Sequence, residues 1–292
     1  MARSRIEKLL PSRAAFSVLC LLAIASYHLW LREDIERQLV ILIVLLMLTG
    51  LPHGAVDPAI ARRAGLWRGA AGLLKFSAAY LGLAILMVAI WFALPELFFI
   101  AMLGFSVWHF AGDWSANFSK SASLSISTAI ITWPALFSAK EVSTIFSLLV
   151  PASSEALVAA MVPISILSTI YFVFHCIRMA RWKFAIHAEL AILLVAAITL
   201  PPIPYFTVYF CLLHSPLHLN KSLNRLGMKE TLVYAIPFTA LSVLAGGFFL
   251  VSLPPAAITI QFIQVIFIGL FALTVPHMVL IELTKEEHRR GA

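Results

Sequence analysis

Apolar residues run along this chain in blocks of about 17 to 26, interrupted only by short polar or proline-rich breaks such as "LREDIERQ", "ALPEL", "LPPIP" and "LPPAA". A helix needs about 20 apolar residues to cross the hydrocarbon core of a bilayer. Ten blocks meet or approach that length: 14–31, 38–61, 70–94, 97–117, 122–138, 156–178, 185–201, 203–220, 231–252 and 258–283. The stretch 138–155 ("SAKEVSTIFSLLVPASSE") fits none of them, and its apolar centre reads as an interfacial or half-buried piece. Ten-residue segments of alternating polarity, the mark of a membrane barrel strand, are missing from the sequence.

Composition agrees with the pattern. Hydrophobic residues make up 61% of the 292 and charged residues 12%, half the share of about 25% usual in soluble domains. The expected fold is all-α: a polytopic transmembrane helix bundle of about ten helices. No linker or internal repeat divides it, so 1–292 is expected to form a single integral membrane domain.

An even number of crossings places both termini on one side, and the basic residues say which. Eighteen of the 21 fall on the side of the termini, leaving only Arg32, Arg37 and Lys140 opposite. Positive charge is retained on the cytoplasmic side of inner membranes, so both termini are expected there. The net charge of +7 is then topology and contact with anionic lipid, and nucleic acid is not an expected partner. Met1 to Arg13 and the apolar run after them imitate a signal peptide, but the charge balance needs that helix to stay. Cys20, Cys176 and Cys211 lie in apolar runs without CxxC spacing and read as free core thiols.

Nine histidines stand out against this background. Ionisable groups inside a bilayer are costly and face the bundle interior or a cavity. Counting residues from each to the nearest cytoplasmic charge places His53, His109, His214 and His277 about 10–16 Å deep, on four different helices. His218 lies one turn shallower. His214 and His218 are four residues apart, so both rings leave one helix face and can share an ion; imidazole suits iron, zinc and copper alike. The pair reads as half of a metal site. His28, His187 and His288 fall near the membrane faces and are assigned no role, while His175 stays undecided.

Asp57 follows His53 by four residues, and Asp113 follows His109 by four. A carboxylate one turn away can accept the outer ring N–H of a ligating histidine, so both are expected as supporting groups; interfacial charge is an equal reading for Asp57. Pro52, Gly54 and Pro58 are expected to kink the helix around His53, as at a cavity. Phe105, Trp108, Phe110, Tyr205, Phe206, Tyr209 and Phe210 flank the histidines and are candidates to line a tunnel for a long apolar substrate.

"GLPHGAVDP" (Gly50 to Pro58), "SVWHFAGDW" (Ser106 to Trp114) and "LLHSPLHLNKSL" (Leu212 to Leu223) resemble, in order and spacing, the three histidine motifs of the Brp/Blh-type β-carotene 15,15′-dioxygenases. These are bacterial and archaeal membrane enzymes that supply retinal to microbial rhodopsins. The resemblance implies an Fe(II) enzyme of the cell membrane that uses O₂ to split the central double bond of a carotenoid. It implies His53, His109, His214 and His218 as metal ligands, with no catalytic side chain beyond them. His277 lies outside the three motifs, as an additional ligand or a supporting group. The sequence departs from many relatives at Ser215, Pro216 and Leu217, which puts a proline inside the helix that carries the histidine pair.

Three other classes use the same residue types. A haem-binding electron carrier pairs histidines at two depths, not one. A diiron desaturase or hydroxylase needs about eight ligands, and only one HxxxH is present. A non-enzymatic carotenoid or lipid binder would use the histidines for proton relay.

Overall fold

The computed structural model describes residues 13–32, 34–178 and 184–290, with side chains from Ala15 to Thr284. All regular structure among the described residues is helical. Each of the ten apolar blocks falls on a helix, and five helices are long and apolar enough to cross a membrane: Ile35–Arg63, Gly69–Ala93, Ser154–Ile177, Met228–Ser252 and Ile258–Thr284. A sixth is reached if Lys120–Phe137 and Ala139–Ser147, bent by 100° at Ser138, count as one broken span. The segment after 138 that fitted no span is thus a short helix turned sharply off the one before it. Large apolar side chains face outward, among them Phe248 at 75% and Val251 at 79% exposure. Such a surface matches lipid and is foreign to a monomeric soluble protein.

The chain divides into two compact units, each discontinuous in sequence: residues 46–98 with 218–290, and residues 13–45 with 99–217. No linker separates them, which is why composition shows no boundary.

In the first unit, the core forms where Asp57–Arg63 meets Met228–Ser252 and Ile258–Arg290. Val56, Ala59, Ala61, Trp67, Tyr234 and Leu280 are buried together there. Several polar groups in and beside this core bond to one another. The Trp67 indole N–H donates to the Pro58 carbonyl at 2.8 Å, and Arg62 donates to the Tyr234 hydroxyl at 3.3 Å. Arg63 donates to the Leu226 carbonyl at 3.0 Å and to Glu230 at 2.6 Å. Its guanidinium therefore closes a helix C-terminus whose last carbonyls have no partner within the helix.

The second unit is held by Lys120–Phe137 against Ser154–Ile177. Ser125 donates to the Ser168 carbonyl at 2.7 Å, and the Trp133 indole to Thr169 Oγ1 at 2.9 Å. Small side chains along this seam let the backbones approach, the usual packing of helices in lipid. Trp133 is fully buried. Trp133→Ala is expected to cost about 3–5 kcal/mol, the range for emptying a large aromatic from a core, read as a lowered unfolding midpoint in detergent.

Besides Tyr27–Leu31 at the end of the first helix, two π-helical segments interrupt the spans, Leu46–Gly50 and Val208–His214. Each runs straight into an α-helix with proline in its first turn: Pro52 in Leu51–Ala55 and Pro216 in Ser215–Leu226. A proline there costs least, because first-turn N–H groups have no partner within the helix. The proline between His214 and His218 therefore leaves their helix unbroken. The chain does break at Val56, where Leu51–Ala55 ends and Asp57–Arg63 begins with Pro58 in its first turn.

Candidate metal centre

Each unit carries neighbouring imidazoles, His109 with His214 in one and His53 with His277 and His218 in the other, and each set includes a ring tied to a buried carboxylate. In the second unit, His109 lies near the end of Pro95–Ala111 and His214 at the end of the Val208–His214 segment. Their rings sit 4.8 Å apart, nearly perpendicular at 69°. His214 is fully buried, and its Nδ1–H donates to Asp113 Oδ2 at 2.9 Å. The Tyr209 hydroxyl donates to the same oxygen at 2.9 Å.

The π segment explains how two residues five apart reach one atom. In an α-helix, positions five apart are rotated by about 140° from one another. A π-helix bonds i to i+5, which brings such positions to one face.

Aromatic rings fence His214. Phe210 stacks on it at 5.4 Å and 22°, Phe110 meets it at 4.7 Å and 62°, and Phe206 stacks in turn on Phe210 at 5.2 Å.

In the first unit, His53 neighbours His277 at 5.6 Å and 85°, and His218 at 6.0 Å and 52°. The His53 Nδ1–H donates to the Gly50 carbonyl. His277 Nδ1–H donates to Asp57, at 2.9 Å from Oδ1 and 2.8 Å from Oδ2. The Tyr80 hydroxyl donates to Asp57 Oδ2 at 2.8 Å. Asp57 and His277 are buried, at 1% and 5% exposure.

Both carboxylates therefore support a histidine from a distant segment, Asp113 holding His214 and Asp57 holding His277. The four-residue spacing does not run along a continuous helix in either place. The helix restarts between His53 and Asp57, and it ends between His109 and Asp113, where Gly112 N–H turns back to the His109 carbonyl at 3.2 Å. Neither pair keeps the continuous α geometry that would stack them. His53 takes an acceptor from its own backbone.

These contacts fit a metal ion. A ring whose Nδ1–H is held by a carbonyl or carboxylate presents its lone pair at Nε2, and the hydrogen bond raises its basicity as a ligand. That is the state of His53, His214 and His277. With metal–nitrogen bonds near 2.1 Å, two imidazoles on one ion have centroids no more than about 6.4 Å apart. The 4.8 Å, 5.6 Å and 6.0 Å separations all meet that limit.

The remaining sequence candidates divide by contact. Phe110 and Phe210 lie against His214, and Phe206 stacks on Phe210, as above. Tyr209 serves Asp113, and the Tyr205 hydroxyl donates to the Ile130 carbonyl at 3.0 Å, a packing contact. Phe105 and Trp108 are 43% and 57% exposed, with Lys120 over the Trp108 ring at 5.9 Å. An aromatic ring under a lysine at a helix end suits a membrane interface. His175 bonds to the Tyr171 carbonyl of its own helix at 3.2 Å and lies against the Tyr171 ring at 4.6 Å. His28 is exposed and His187 half-buried, while the side chain of His288 lies outside the described residues. Cys20, Cys176 and Cys211 are buried free thiols. Sequence reasoning missed Tyr80: nothing in its spacing or surroundings marks a tyrosine that reaches Asp57 from another helix.

Long apolar helices carrying buried, carboxylate-held imidazoles define a class of helical protein suited to lipid and able to hold a metal ion. Comparison with known proteins makes the class specific. The profile of the beta-carotene 15,15'-dioxygenase family matches residues 44–285. A beta-carotene 15,15'-dioxygenase from uncultured marine bacterium 66A03 is 33% identical over 266 residues, covering 84% of this chain and 94% of that protein. No solved structure matches. The chain belongs to the beta-carotene 15,15'-dioxygenase family, a family of carotenoid cleavage dioxygenases.

Proposed function

We propose that this protein splits a carotenoid with O₂ in an iron(II)-dependent reaction, acting on β-carotene at its central 15,15′ double bond to give two retinals. The observation that carries the reading is a pair of buried histidine–aspartate contacts within a chain of this family. His53, His109, His214 and His218 are the proposed ligands, taken from the three motifs. Bound iron would supply the O₂ chemistry that amino-acid side chains cannot.

The protein's own share follows from its contacts. Asp113 holds the His214 ring in one tautomer and one orientation, and the Gly50 carbonyl does the same for His53. Phe110 and Phe210 keep water from the face of His214 and, with Phe206, offer an apolar surface suited to a polyene. No side chain is asked to act as nucleophile or general base. The cleavage balances without another reductant: one C=C bond is broken, and each new carbonyl takes one oxygen atom.

The setting proposed is the cytoplasmic membrane, crossed about ten times with both termini inside. The substrate would reach the site from lipid, and the retinal formed would suit a rhodopsin-type apoprotein. Expression in carotene-producing bacteria tests the activity. Loss of orange colour with appearance of retinal is expected; full colour with no apocarotenal in cells that contain the folded protein would overturn it.

A further inference from the structure

We infer that His277, which lies outside the three histidine motifs, is a metal ligand equal in kind to His214, with Asp57 and Tyr80 as its positioning residues. The inference deepens the proposed function and rests on it for the identity of the metal.

The argument is a comparison of two wirings, each within its own unit. Around Asp113, a carboxylate oxygen accepts from one histidine Nδ1–H at 2.9 Å and one tyrosine hydroxyl at 2.9 Å. Around Asp57, the same chemistry recurs: His277 Nδ1–H at 2.8 Å and the Tyr80 hydroxyl at 2.8 Å meet at Oδ2. In both cases the aspartate comes four residues after a motif histidine, His109 or His53. In both, that motif histidine lies edge-on to the ring the aspartate holds, at 4.8 Å and 5.6 Å. His109 stands to His214 and Asp113 as His53 stands to His277 and Asp57.

A carboxylate is expensive to bury in an apolar helix bundle, and a spectator histidine could be satisfied more cheaply by a backbone carbonyl, as His175 is. A carboxylate on Nδ1 does two things a carbonyl does less well. It fixes the lone pair on Nε2, and its charge makes the ring a stronger donor toward a cation. The Tyr80 hydroxyl holds Asp57 in turn, so the ring's orientation is set through three groups on three helices: Asp57–Arg63, Gly69–Ala93 and Ile258–Arg290. Supporting groups of this kind typically alter metal affinity by about 10–100-fold.

The test uses the full-length protein in detergent, titrated anaerobically with Fe(II). Iron retention and the imidazole shell seen by X-ray absorption are read alongside carotene cleavage. His277→Gln is expected to lower iron affinity about tenfold or more and to remove one imidazole from the shell. His277→Gly is expected to regain both when free imidazole is added, which a structural role would not produce. Tyr80→Phe keeps the full imidazole count and weakens iron binding less than His277→Gln does. A folded His277→Gln protein with wild-type iron affinity and an unchanged imidazole shell overturns the inference, as does His277→Gly that imidazole fails to restore. The proposed function fails separately: iron-loaded wild type that leaves β-carotene intact refutes the cleavage while the ligand count still stands or falls on its own.

Discussion

His214→Ala is expected to bring carotene cleavage down about a thousandfold or more, equivalent to ~4 kcal/mol of lost transition-state stabilisation, with iron retention lost in parallel. The residue carries this weight because several features converge on it. It is fully buried, its Nδ1–H is committed to Asp113, and two phenylalanine rings cover it. Alanine would leave a hole lined by Phe110 and Phe210 and no nitrogen to replace the ring. Retinal production by cells and iron content of the purified variant check the prediction together. His175→Ala is the informative contrast. That ring is half-exposed and bonded to its own helix, so cleavage and iron content are both expected to persist. Bleaching that survives in His214→Ala would remove the HxxxH pair from the mechanism.

The second large effect is expected at Asp113, which is buried at 3% exposure and accepts from both His214 and Tyr209. Asp113→Ala strands two donors in an apolar surrounding. The cost in stability is about 1–3 kcal/mol for each buried group left unsatisfied. The cost in iron affinity is about 10–100-fold, because the His214 ring loses the contact that fixes its orientation and tautomer. Asp113→Asn separates the two. Its amide oxygen still accepts a hydrogen bond, so the fold is expected to hold, while the missing charge leaves His214 a weaker donor and iron affinity falls by a smaller factor. Thermal unfolding in detergent reads the first effect and Fe(II) titration the second. Equal affinity in wild type, Asp113→Asn and Asp113→Ala would mean that the carboxylate serves packing alone.

Much of the site could be read from the chain because histidine is rare in apolar runs, so each one is conspicuous. His53, His109, His214 and His218 are found on helices, and His214 and His277 prove to be buried. What the sequence did not disclose is which carboxylate belongs to which ring. Four-residue spacing joins His53 to Asp57 and His109 to Asp113 only if the helix runs through both. It does so in neither case, and partners from distant segments, His277 and His214, bond the carboxylates. Tyr209 was assigned to the substrate surface because it is aromatic; its hydroxyl instead bonds Asp113, through a π-helical register that no periodicity in the sequence announces. The fold shows the same division. Helical blocks were legible from hydropathy, whereas the grouping into two units depends on contacts between segments as far apart as Tyr80 and Leu273.

That interleaving sets an order on synthesis. Residues 13–45 and 99–217 leave the ribosome before the last helix, so His109, His214 and their aspartate can meet while the chain is still growing. The His53 side must wait: Asp57 and Tyr80 emerge early, yet the ring they hold arrives only with Ile258–Arg290. Until then a carboxylate sits in the nascent bundle without its imidazole. With His277 as a ligand, as inferred above, the iron site would be complete only once Ile258–Arg290 has been made.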